Sequence, residues 1–98
     1  MVITDEIKLN DEKPAVVQIK NTDKSNVIAI GLKKDQVLKK HISPIPALLV
    51  VIKGSVLFEI EGNKTTFSTF STYEIPVNVP HEVTGLEESV FLVIKEKI

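Results

Sequence analysis

Short apolar runs rich in valine and isoleucine recur along this chain, and turn residues separate them every 8–12 residues. No stretch carries apolar residues at the three-and-four spacing that gives a helix one buried face. Short strands in this number expose long edges unless the sheet closes or folds into two layers, so the pattern predicts an all-β barrel or sandwich. Strands are expected at 15–20, 27–32, 36–41, 47–52, 55–60, 65–68, 72–75, 81–85 and 90–95. A terminal strand at 1–9 is expected as well, giving nine or ten in all.

The punctuation between the runs is specific. Pro44 and Pro46 lack ladder donors, so Ser43-Pro-Ile-Pro46 breaks the sheet between two strands. Gly62-Asn63 is expected to supply the positive φ of a hairpin in Glu61-Gly-Asn-Lys64. Pro76 to Pro80 reads as a rigid loop. Gly31, inside an otherwise apolar strand, predicts a close backbone approach or a bulge.

Ninety-eight residues make one domain with a thin core, and residues 1–14 read as an N-terminal strand or arm placed for a homodimer interface. The net charge of −1, with scattered lysines, gives no footprint for nucleic acid or an anionic membrane. There is no cysteine, which excludes disulfides, thiolate metal sites and a cysteine nucleophile. No apolar run approaches the ~20 residues of a membrane helix, and the first residues are too polar for a signal peptide. The chain reads as a soluble cytoplasmic protein.

Chemistry has few candidate carriers. His41 and His81 are the only histidines, and each ends or begins a strand beside a proline-rich break. An imidazole ligates metal, relays a proton or bonds a carbonyl, and the choice depends on whether the fold brings the two together. Ser43 lies two residues from His41 but lacks an oxyanion motif. Tyr73 is a phenol beside Ile75-Pro76, suited either to a pocket or to the rim of a core. Phe58, Phe67, Phe70 and Phe91 read as core or dimer seam. Glu59, Glu61, Glu74 and Glu82 read as solvated surface, with a further metal ligand as their alternative use. Lys39 shares alternation parity with His41, which predicts a bulge or a barrel mouth at that point.

The residues 33–54 and 73–85, KKDQVLKKHISPIPALLVVIKG and YEIPVNVPHEVTG, resemble the two motifs of the cupin superfamily of small double-stranded β-helix, or jelly-roll, barrels. The first motif, Gly-x5-His-x-His-x3,4-Glu-x6-Gly, falls on Asp35, His41, Ser43, Ala47 and Gly54. The second, Gly-x5-Pro-x-Gly-x2-His-x3-Asn, falls on Phe70, Pro76, Asn78, His81 and Gly85. Fifteen residues separate the two, and the likeness extends over about 28–94. His41, Gly54, Pro76 and His81 match; the other positions depart from the pattern.

The resemblance implies a single cupin domain over 1–98 that pairs as a homodimer. It also implies a divalent metal on the first and last histidine positions, His41 and His81. Ser43 and Ala47 replace the remaining ligands, so zinc, nickel, copper or manganese would be held weakly there. Three functions stay open. The first is a barrel that binds a small molecule at His41, His81, Ser43 and Tyr73. The second is a metal-dependent isomerase, lyase or oxygenase using the two histidines. The third is a structural or interaction barrel without ligand.

Overall fold

In the computed structural model, which describes residues 1–97, the chain is nearly all strand. After one helical turn, α1 (Ile3–Glu6), come β1 (Ala15–Asn21), β2 (Ser25–Leu32), β3 (Val37–His41), β4 (Ala47–Lys53) and β5 (Ser55–Ile60). They are followed by β6 (Asn63–Ser68), β7 (Thr72–Ile75), β8 (His81–Gly85) and β9 (Ser89–Glu96). The strands form two antiparallel sheets, ordered β1-β2-β9-β4-β7 and β3-β8-β5-β6. Apart from the β1–β2 and β5–β6 hairpins, successive strands switch between the sheets, so each sheet is built from distant parts of the chain.

Side-chain alternation fills the space between the layers. Leu49 and Val51 of β4, Val56 and Phe58 of β5, Val83 of β8 and Phe91 of β9 point inward and are almost wholly buried. They come from both sheets and meet in one cluster. Phe58 and Phe91 are core, Phe67 packs partly against it, and Phe70 stands 84% exposed on the surface.

The segment 1–9 departs from the expected strand. Ile3–Glu6 closes one helical turn through bonds to the Val2 and Ile3 carbonyls. The chain then crosses the outer face of the five-stranded sheet, where Ile7 is buried with Ala29 and Val90. Gly31 permits this crossing: a Cβ there would lie 2.6 Å from Leu9 Cδ2 and 3.0 Å from Ile7 Cδ1. The apolar residues of the arm are thus spent on packing over a sheet, not on pairing along its edge.

The β5–β6 hairpin turns one residue earlier than its sequence suggests. Ile60 pairs with Asn63, and positive φ falls on Glu61 (51°) and Gly62 (79°), the two-residue turn that matches strand twist. Asn63 is already in the strand.

Positive φ elsewhere follows the motif. Outside that hairpin, the non-glycine residues with positive φ among the described residues are Asp35 (69°), Phe70 (71°) and Asn78 (62°). These are the three positions where the cupin pattern has glycine and this chain does not. Gly54, the motif glycine that is kept, has φ 74°. The backbone retains all four left-handed bends, three of them without the residue that adopts them freely.

Candidate functional site

The two histidines lie 40 positions apart in sequence and opposite one another in space. His41, at the end of β3, is the ladder partner of His81, at the start of β8. Their rings sit 4.3 Å apart between centroids at 61°. The β3–β8 register shifts between Leu38 and His41, so a bulge lets both residues line the cavity, Leu38 half-buried and His41 exposed at its mouth. The parity conflict between Lys39 and His41 is resolved by that bulge.

Both rings are held in the same way. His41 Nδ1 lies 2.8 Å from the Lys39 carbonyl oxygen, and His81 Nδ1 lies 3.0 Å from that of Val79. A carbonyl oxygen only accepts, so each Nδ1 donates its hydrogen, and in the neutral ring Nε2 keeps a bare lone pair. His81 is 2% exposed and stacks on Phe58 at 5.6 Å and 23°. Burial is the main cause that lowers its pKa; the carbonyl of Val79 opposes this, and the nearby His41 and Lys95 add to it.

His41, Ser43, Ala47 and His81, the four positions onto which the cupin ligand set falls, line one cavity between the sheets. Its floor is apolar, with Leu49, Phe91 and Val93 among the lining side chains, and its free volume is about 50 Å³. Lys95 reaches the same cavity from β9. Sequence reasoning missed Lys95, although the signal was there: Phe91, Val93 and Lys95 share one face of the strand, and that face is the interior. Tyr73 is elsewhere. It packs against Phe58 at 4.9 Å and Phe67 at 5.4 Å and does not line the cavity.

The donor set does not fit a resident divalent metal. The Ser43 hydroxyl donates to the Ile45 carbonyl at 2.7 Å, where it shapes the proline turn, and Ala47 offers only a methyl group. None of Glu59, Glu61, Glu74 and Glu82 lines the cavity. Among the described residues no three His, Cys, Asp or Glu side chains gather as a ligand set. Two imidazoles fall short of the three protein ligands of a catalytic zinc site, and Lys95 adds a like charge to any cation placed there.

No family model matches this sequence, and no curated protein matches it. Solved structures do match along the whole chain. An RmlC-like cupin from Desulfovibrio desulfuricans superposes with a TM-score of 0.89 at 16% identity, covering 98% of this chain and 93% of its own. This chain has the cupin fold. A double-stranded β-helix protein from Klebsiella pneumoniae gives 0.88 at 16% identity, covering 98% of this chain and 87% of its own. KdgF from Halomonas sp. gives 0.86 at 15% identity, covering 100% and 93% respectively. The cupin likeness in the motifs is therefore a likeness of the whole barrel. At such identities it speaks for the fold alone.

Proposed function

We propose that this cupin barrel is a binding protein that holds a small organic molecule between the two imidazoles and the apolar floor. The observation that carries this reading is the pairing of two anchored histidines, His81 buried and His41 exposed, at the mouth of an apolar cavity whose metal-ligand positions are half substituted. The anchored rings present fixed acceptors, and the apolar floor supplies desolvation, which together are the ingredients of a small-molecule site. A cytoplasmic homodimer is the setting expected from the sequence; light scattering at micromolar concentration tests the dimer.

The decisive experiment measures metal in untagged protein purified without chelator, by elemental mass spectrometry, and then screens small organic fragments by NMR. The expected result is metal well below one per chain and fragment-induced shifts centred on His41, His81 and Leu49. One metal per chain, lost in His41→Ala, overturns the reading in favour of a metal-dependent enzyme. No fragment binding and no metal leaves a structural barrel.

A further inference from the structure

The polar groups of the cavity are few enough to define what they would recognise, and this step rests on the binding reading above. Each histidine has its Nδ1 hydrogen committed to a backbone carbonyl, so the neutral ring keeps an acceptor at Nε2, and both residues line the cavity. A ligand must meet such an atom with a hydrogen-bond donor. Among the described residues Lys95 is the one fixed charge that lines the cavity, and no carboxylate of theirs lines it to balance that charge. A ligand with a negative charge of its own is therefore favoured.

An ammonium group would satisfy Nε2 but would be repelled by Lys95. A hydroxyl satisfies Nε2 without that penalty. The free volume of about 50 Å³ is room for roughly four waters, far below the 300–1,000 Å³ of drug-sized pockets. Only a compact molecule fits, with a short carbon skeleton against Leu49, Phe91 and Val93.

We propose that the cavity selects a small hydroxy acid, its carboxylate against Lys95 and its hydroxyl donating to Nε2 of His41 or His81. Ser43 has no hydrogen to donate to the ligand, because its hydroxyl hydrogen is held by the Ile45 carbonyl, and its oxygen is left only as a further acceptor.

The test is an NMR titration of the isotope-labelled, chelator-treated full chain at pH 7.5 and constant ionic strength with a matched set of three-carbon probes. Lactate carries both groups, propionate lacks the hydroxyl, propane-1,2-diol lacks the charge, and 1-aminopropan-2-ol reverses it. Lactate is expected to bind at least about 10-fold more tightly than each of the others, the worth of one good polar contact. Lys95→Met should remove the preference for lactate over the diol, and Lys95→Arg should keep most of it. Equal binding of lactate and the diol, or of lactate and propionate, overturns the hydroxy-acid assignment while leaving a binding barrel. Tighter binding of the amino alcohol overturns it as well. No shift at His41, His81 or Leu49 with any probe removes the binding reading along with it. The comparison within the wild-type chain decides the matter even if a variant fails to fold.

Discussion

The two ends of this barrel are built from the same strands and finished differently. At one end Gly54, Ser55, Gly85 and Ser89 close the structure. Ser89 is fully buried, its one hydroxyl hydrogen is shared between the Ser55 and Glu87 carbonyls, each 2.8 Å from Oγ, and the oxygen accepts from Ser55 N–H at 3.1 Å. The Gly85 N–H and carbonyl are bonded to the Gln36 carbonyl and the Asp35 N–H. At the other end of β8 and β9 stand His81 and Lys95, around a cavity, with imidazole Nε2 atoms for which the described residues offer no hydrogen-bond partner. At the closed end the Ser89 hydroxyl and the Gly85 backbone are matched by the chain itself. The open end leaves polar atoms for something else to match, and that asymmetry is the physical case for placing function there.

The largest effect that tests this contrast should come from Gly54→Ala. A Cβ there would lie 2.4 Å from the Glu88 carbonyl oxygen and 2.5 Å from Ser89 Oγ, at φ 74°. Neither backbone nor the buried hydroxyl gives way cheaply, so denaturant unfolding should show a loss of about 3 kcal/mol or more. A loss under about 1 kcal/mol, the cost of the backbone angle alone, would mean that the closed end is looser than its packing implies. Ser89→Ala should follow with about 1–3 kcal/mol, because the part-buried Ser55 N–H then loses its acceptor. Neither change should alter ligand binding at the other end.

The open end should respond to pH where the closed end does not. His81 has a pKa below the ordinary 6.5 because it is buried, with the His41 and Lys95 charges adding to the effect. The unfolded chain therefore binds the proton first as pH falls. Stability due to this group is present in full above about 6.5 and is lost as pH drops through the lower folded value. His81→Gln should flatten that part of the stability curve, an effect smaller than that of Ser89→Ala. An unchanged slope between pH 7 and 5 would show that His81 is more solvated than its 2% exposure suggests.

Strands were legible in the sequence because a buried face imposes alternation: β5, β7 and β8 run over the residues that their pattern predicts. The meeting of His41 and His81 was legible only through the motif spacing, since alternation says nothing about which strands become neighbours. Lys95 was hidden by its own strand: a lysine at the end of an apolar run reads as its solvated end. The N-terminal arm was misread because apolar residues at 1–9 serve equally to pair along a sheet or to lie across it. What decided between them is Gly31, whose missing side chain makes the crossing possible. The missing motif glycines misled most simply, because the left-handed bend at Asp35, Phe70 and Asn78 is set by hydrogen bonds around it and not by the residue that occupies it.

Those bends give the smallest and sharpest test. Phe70 is the third residue of the turn in which Ser71 N–H bonds the Ser68 carbonyl at 3.0 Å, and its own N–H bonds the Val51 carbonyl. A left-handed φ costs a residue with a Cβ about 1–2 kcal/mol, and glycine returns part of that through the greater freedom of the unfolded chain. Phe70→Gly should therefore raise stability by about 0.5–1 kcal/mol, with the 84% exposed ring contributing little that is lost. Asn78→Gly, in the loop where its N–H bonds the Ser43 carbonyl, should gain less, because asparagine tolerates this region better than phenylalanine. If Phe70→Gly instead destabilises the chain, the ring is covered in the protein as it exists in solution. The same variant examined by light scattering then shows whether a second copy of the chain is what covers it.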